Sequence, residues 1–376
     1  MNSIQMVDLK SQYHKIKNEI DQAILTVVES SAFINGPEVK LFQEELEDYL
    51  KVNHVIPCAN GTDALQIALM ALDLQQDDEV ITADFTFAAT VEVIDLLKLK
   101  SVLVDVDYNT FTLDLEQVKK AITPKTKAII PVHLFGQCSQ MEELQQIAKE
   151  HNLYIIEDTA QAIGADYTFK NGEKKKAGTM GTIGTTSFFP SKNLGCYGDG
   201  GAIFTNDDAL AHKMRGIVNH GMYKRYYHDE IGVNSRLDSI QAAVLRKKLP
   251  HLDNYISERN RAADYYDKAF ANHQYIKTPA RANDYSNHVF HQYTLRITNG
   301  KRNELQQYLA DNQIPAMIYY PVPLRKQKAY DHGTYNDADF PNTDKLIDEV
   351  ISLPMHTELC GEQLKYITDK VLAFFG

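Results

Sequence analysis

Lys192 stands between a hydrophobic run, SFFP, and a glycine-rich turn, NLGCYGDGG. A lysine held in a partly dry pocket has a depressed pKa, and its amine can condense with an aldehyde to form a Schiff base. Ser187, shortly before it, can donate to a phosphate. Asp158 follows the apolar run YII. An acid there can pair with a cationic ring nitrogen, and Gln161 can hydrogen-bond a substituent of the same ring. Asn60-Gly61-Thr62-Asp63 lies where an apolar run gives way to a helical one. Glycine lets the backbone approach closely, and first-turn amides together with the helix dipole favour an anion. In Gly232–Asp238, Arg236 offers a forked donor suited to phosphate or carboxylate. Each segment taken alone also has a plainer reading. Thr62 and Asp158 fit helix caps, Lys192 a solvated loop lysine, and Arg236 an ordinary helix start.

Other cofactor chemistries leave no trace. There is no Walker lysine loop and no HExxH, and the spacing of Gly178, Gly181 and Gly184 is not a dinucleotide fingerprint. The thirteen histidines form no metal pattern, so no metal is expected. Anion cradle, acid and lysine together point to a cofactor tethered through lysine.

Such groups must be carried by elements that bring them together. From VIPCAN to YIIEDTA, short β-rich runs alternate with helical stretches, the pattern of an α/β fold with a mostly parallel sheet. Ligands gather at the C-terminal ends of such strands, where these segments fall. GTIGTTSFF and GAIFTND read as two further strands, and two amphipathic helices precede the series. A long helical stretch from near Leu237 is expected to break at Pro250. This divides residues 1–249, a large α/β domain with an N-terminal helical segment, from residues 250–376, a smaller α+β domain. The latter is expected to hold the strand HVFHQYTLRI, the helix NELQQYLADN and two late helices.

The 376 residues are 44% hydrophobic, enough to bury a large core. The 50 acidic residues exceed the 39 basic ones, and the net charge of −11 argues against nucleic acid or an anionic membrane as partner. A small anionic substrate stays possible, since a few placed donors reverse the field within a pocket. MNSIQMVDLK does not read as a signal peptide, and no apolar run is long enough to span a bilayer. Four scattered cysteines fit reduced thiols in a cytoplasmic protein.

GTDAL, EDTAQ, SFFPSKNLGCYGDGG and NSRLDSIQAA, in this order, resemble the DegT/DnrJ/EryC1/StrS family of fold-type-I nucleotide-sugar aminotransferases. The resemblance runs from VDLKSQY and INGPEV near the start to YYPVPL and SLPMH near the end. It implies pyridoxal 5'-phosphate bound to Lys192, with Asp158 facing the ring nitrogen, Gln161 near the ring hydroxyl and Phe87, rather than Phe85, stacked on the ring. Gly61, Thr62, Asp63 and Ser187 correspond to the phosphate-binding set, and Asn234 to a phosphate ligand from the other subunit of a homodimer. Arg236 and Tyr320 match positions that reach the sugar from that second subunit. Tyr319 stands where His is usual and Asp199 where Glu is common; the first leaves open what an imidazole would do there. Arg225, Tyr226 and His228 line either a substrate loop or a solvated connector. The implied reaction moves an amino group from L-glutamate to a keto nucleotide sugar. FFPSKNLGCYGDGGAIFTNDD, GVNSRLD and YPVPLRKQ look nearest to the branch aminating C3 of UDP-2-acetamido-2-deoxy-3-oxo-glucuronate, for glycans of the O-antigen or capsule type. The runner-up is C4 amination of a UDP- or dTDP-4-keto-6-deoxy sugar. Lys192 argues against the family's dehydratases, which have His at that position. A regulator that binds cofactor or nucleotide sugar without turnover is the alternative of another class.

Overall fold

In the computed structural model, which describes residues 3–376, the alternating runs become a seven-stranded sheet covered on both faces. Met1 and Asn2, where the expectation about the N-terminus begins, lie outside the described residues. The strands are β1 (His54–Cys58), β2 (Glu79–Ala83), β3 (Lys100–Val104), β4 (Thr126–Ile130) and β5 (Tyr154–Asp158). A hairpin of β6 (Asp166–Thr168) and β7 (Lys174–Lys176) precedes β8 (Ile183–Ser187) and β9 (Gly201–Thr205). The order is β1-β9-β8-β5-β4-β2-β3, and β9 alone runs against its neighbours. The sheet is mostly parallel, as the alternation predicts.

Helices α1 (Leu9–Lys15), α2 (Lys17–Ser30) and α3 (Pro37–Leu50) precede the sheet; Pro37 opens α3, where its missing N–H costs nothing. Between strands run α4 (Gly61–Ala71), α5 (Ala89–Leu96), α6 (Leu115–Ala121) and α7 (Met141–His151), and α8 (Asp208–Ile217) follows β9. Side chains alternate across each strand. Ala128 and Ile130 therefore pack against α4, α5 and α8, whereas Ile129 packs with α6 and α7 on the other face. Each fully buried Leu or Ile in these layers contributes about 1.5–3 kcal/mol.

A second hairpin, β10 (Met222–Lys224) and β11 (Tyr227–His228), stands exposed before α9 (Ser239–Lys248). The expected break occurs at Pro250, where a single 3-10 turn separates α9 from α10 (Leu252–Phe270). An antiparallel sheet of β12 (Ile276–Lys277), β13 (Tyr293–Ile297) and β14 (Val350–Leu353) then packs with α11 (Arg302–Asp311) and α13 (Gly361–Phe375). The helix α12 (Pro341–Glu349) leads into β14. Ile4 joins this C-terminal core, and the Met355 N–H donates to Met6 O at 3.2 Å, so the start of the chain is fastened to its far end. No helix among the described residues is long and apolar enough to cross a membrane.

The strand expected from His288 begins only at Tyr293. Phe290 takes a left-handed φ of 44°, and Arg259 occupies the carbonyls of Phe290 and His291 at 3.0 and 3.3 Å, so neither serves a ladder. A second buried cation fastens the two halves. The carboxylate of Asp84, just past β2, accepts the Arg325 N–H at 2.8 Å and is ion-paired with its guanidinium. Asp84 is fully buried and Arg325 only 3% exposed. Removing one member of such a pair strands a charge in low dielectric. Arg325→Met should therefore lower the unfolding free energy by about 3–5 kcal/mol in urea titrations; a change too small to resolve would show that the pair does not hold the segment.

Candidate active site

Strand ends and helix starts surround a cavity of about 680 Å³. Its floor begins at α4. Asn60 caps this helix by accepting the Asp63 N–H at 2.8 Å, which leaves the Gly61 and Thr62 amides without intrahelical acceptors. A Cβ at residue 61 would lie 2.7 Å from Ser187 Cβ, so only glycine lets the helix start close on the end of β8. Gly61, Thr62 and Ser187 thus form one cradle of donors on a positive helix end. Asp63, expected to share in it, adds no donor, because its N–H is given to Asn60 and its side chain is a carboxyl.

Asp158 ends β5 and is 7% exposed. Its carboxylate accepts the Ala160 N–H at 3.0 Å and the Thr90 hydroxyl at 3.3 Å. Its neighbour Glu157 points to the opposite face, where it accepts the amides of Gly178, Met180 and Gly181 and the ring of His133. The Ser139 N–H donates to His133 Nδ1 at 3.1 Å, so Nε2 carries the proton that His133 gives to Glu157 at 3.0 Å. This buried network fixes the end of β5 and with it the aim of Asp158.

Lys192 lies in a turn that is bonded on several sides. The Cys196 N–H returns to Phe188 O at 2.8 Å, Asn193 Nδ2 donates to Val289 O at 2.9 Å, and Lys248 Nζ donates to Gly195 O at 2.6 Å. Burial pulls the Lys192 amine down to about 8, against an opposing pull from the Asp158 charge. Burial likewise raises the Asp158 carboxyl, although the Ala160 N–H and Lys192 work the other way. At both ends desolvation outweighs mutual attraction, so each group gains from a further charged partner. A phosphate-bearing cationic ring meets both requirements: its phosphate fits the donor cradle, its ring nitrogen gives Asp158 a cation, and its aldehyde meets an amine that is easily deprotonated.

Phe85 and Phe87 differ in placement. Phe85 is 1% exposed within the core, whereas Phe87 is 58% exposed and lines the cavity. Gln161 lines it too, accepting the Phe135 N–H at 2.7 Å and donating to the Tyr320 hydroxyl at 3.2 Å. That bond corrects one expectation: Tyr320, with Tyr319, belongs to the cavity of its own chain rather than reaching into a second subunit's. The physical cause is the Asp84–Arg325 pair, which draws the segment carrying both tyrosines onto the end of β2. Asn234 and Arg236 do not line this cavity. Between them, Ser235 accepts the Ala59 N–H at 3.1 Å, so their segment lies behind the α4 turn, and the buried Arg236 Nε has no partner in the chain. Arg225, Tyr226 and His228 fall in or beside the exposed β10–β11 hairpin and do not line the cavity either.

Residues not singled out beforehand complete the wall, among them Thr86, Thr185, Thr186, His291 and Gln292. The two threonines of β8 sit at a strand end beside Ser187, the position that marks its neighbours. Nothing local marks His291 and Gln292, which come from the irregular segment before β13.

The depressed amine carries a directional consequence. Below its pKa Lys192 is an inert ammonium, and above it a nucleophile. In cofactor-free protein, modification of Lys192 by an aldehyde and borohydride, followed by peptide mass spectrometry, should rise with a midpoint about pH 8. A rate that turns on only near the ordinary value of 10.5 would contradict this environment.

Comparison with known proteins agrees with the geometry. A profile of the DegT/DnrJ/EryC1/StrS aminotransferase family matches residues 14–372. A Geobacillus stearothermophilus protein named "Pleiotropic regulatory protein" is 46% identical over 375 residues, covering 99% of both chains. The UDP-2-acetamido-2-deoxy-3-oxo-D-glucuronate aminotransferase of Pseudomonas aeruginosa is 45% identical over 365 residues, 97% of this chain and 98% of that one. The crystal structure of a DegT DnrJ EryC1 StrS aminotransferase from Brucella abortus, 40% identical, superposes with a TM-score of 0.93, covering 99% of this chain and all of that one. From Tyr13's neighbour to the last helix, this chain belongs to the DegT/DnrJ/EryC1/StrS aminotransferase family.

Proposed function

We propose that this pyridoxal-phosphate-dependent sugar aminotransferase transfers an amino group from L-glutamate to C3 of UDP-2-acetamido-2-deoxy-3-oxo-glucuronate, in the synthesis of a surface glycan of the O-antigen or capsule type. The observation that carries the reading is the placement of Lys192 and Asp158 in one cavity beside a phosphate cradle. The relative at 45% identity across nearly the whole chain supports the choice of acceptor.

When bound, pyridoxal phosphate supplies an aldehyde for the amine and a ring that takes up the electron pair left when a proton departs. The rest falls to the protein. Gly61 and Thr62 would hold the phosphate with amides, and Thr62 and Ser187 with hydroxyls; Phe87 would cover the ring, and Gln161 would bond its hydroxyl. Asp158 keeps the ring nitrogen protonated, which its burial makes favourable for both partners. Lys192 would be the tether when the cofactor is bound, and its Nζ, once free, would be the base that takes the proton from the donor's α-carbon. In the reverse half it returns a proton to the sugar carbon that receives nitrogen. Tyr319 and Tyr320 line the acceptor's side of the cavity.

Asn234 and Arg236 complete the site from a second copy of the chain, in a homodimer. The partnerless Arg236 Nε and the position of this segment outside the chain's own cavity support that arrangement. The enzyme acts in the cytoplasm.

One observation favours a different reading: the relative named "Pleiotropic regulatory protein" is equally similar. A binding protein without turnover would not convert its cofactor from the aldehyde to the amine form on addition of glutamate. Transamination predicts that conversion, followed by the absorbance change in reverse when the keto sugar is added. Lys192→Ala should abolish both the absorbance of the lysine-bound cofactor and turnover; transamination at the original rate would sink the assignment. Glutamate-dependent turnover should be greatest with the 3-keto uronate. Activity confined to a UDP- or dTDP-4-keto-6-deoxy sugar would replace C3 amination with C4 amination.

A further inference from the structure

The short segment from His288 to Gln292 is set against the cavity by three parts of the chain. Asn193, beside Lys192, donates to Val289 O at 2.9 Å. The Val289 N–H donates to Gly136 O at 2.8 Å and the Gln292 N–H to Phe135 O at 3.4 Å, while the Phe135 N–H is itself bonded to Gln161. From behind, one Arg259 nitrogen reaches the carbonyls of Phe290, His291 and Met355 at 3.0, 3.3 and 3.1 Å. The segment therefore lies between the turn that carries Lys192 and the turn bonded to Gln161, and its backbone has little freedom.

His291 is 5% exposed and lines the cavity, yet its ring is poorly satisfied. Nδ1 has no partner, and Nε2 has only the side-chain nitrogen of Gln292 at 3.5 Å. A buried ring nitrogen left in this state is costly, and such groups are ordinarily paired. Burial, reinforced by the charges of Lys192 and Arg259, holds the imidazole well below its usual pKa. It is therefore neutral, with one N–H to give and one lone pair.

The rest of the wall indicates what meets it. Among the described residues lining the cavity, Lys192 is the one lysine or arginine, while Asp63, Asp158 and Asp199 are acidic. A carboxylate brought in next to the reacting amine is met within this chain by neutral donors, and His291 and Gln292 stand beside the Lys192 turn. We propose that His291, assisted by Gln292, binds the carboxylate attached to the reacting carbon of the amino donor. The proposal deepens the transaminase reading and rests on Lys192 being the reacting amine.

The test uses cofactor-loaded protein and 2-methylglutamate, an amino donor that keeps the carboxylate but has no α-proton to lose. Its dissociation constant is read from the cofactor absorbance, and cofactor content after gel filtration serves as the check on folding. His291→Phe removes both ring nitrogens and should weaken 2-methylglutamate about tenfold or more, the effect of losing a hydrogen bond to a charged group. His291→Asn, which restores a donor, should recover part of that loss. With the protein in its amine form, the apparent affinity for the keto sugar should stay within about threefold, since the sugar carries no carboxylate on its reacting carbon. Unchanged 2-methylglutamate affinity in His291→Phe would overturn the proposal, as would an equal loss for donor and sugar. Failure of the parent protein to bind 2-methylglutamate would overturn it as well. The underlying reading fails by a separate sign, the absence of any absorbance change when L-glutamate is added to the parent protein.

Discussion

Asp158 and Lys192 share a cavity, and desolvation pushes each of them toward its neutral form. Burial raises the carboxyl and pulls the amine down to about 8, although each attracts the other's charged form. The pair is consequently poised rather than settled: a cationic ring placed between them relieves the acid and leaves the amine free to exchange protons. Everything around them serves that placement. Glu157, on the reverse face of β5, gathers three amides and the His133 ring, so the strand end cannot turn Asp158 away. Lys248, from α9, holds the turn of Lys192 at Gly195 O, and Asn193 within the turn donates to Val289 O in the segment before β13.

The cavity is also a joint between distant parts of the chain. Asp84 and Arg325, 241 residues apart, are locked by a buried ion pair that seats Tyr320 against Phe85 and Phe87. Arg259, from α10, ties the carbonyls before β13 to Met355 after β14. Buried arginines are expensive to desolvate, and each is retained here with several acceptors around it. Their common effect is to bring a C-terminal wall to a site whose floor is built from the parallel sheet.

The difference between floor and wall explains what could be read from sequence. Gly61, Asp158, Ser187 and Lys192 each follow an apolar run and precede a helix or glycine turn, a local pattern that places them at strand ends with no knowledge of the rest. The strands from His54 to Asp158 were legible for the same reason, because parallel strands covered on both faces are continuous apolar runs. The wall obeys no such rule. His291 and Gln292 sit in an irregular stretch whose strand-like composition, HVFHQYTLRI, is overridden by the left-handed Phe290 and by Arg259. β14 is a strand of four residues directly after α12, too short for its alternation to stand apart from the helix before it. That Tyr320 serves its own chain depends on the Asp84–Arg325 pair, a long-range contact that neither residue type announces.

The central claim is that Lys192, among all the lysines of the chain, is the amine that bears the cofactor. Reduction of the loaded protein with borohydride would make that bond permanent, and proteolysis with mass spectrometry would locate it. The account predicts a pyridoxyl-phosphate adduct on the peptide containing Lys192 and on no other. An adduct on Lys248 or on a surface lysine, with Lys192 unmodified, would contradict it.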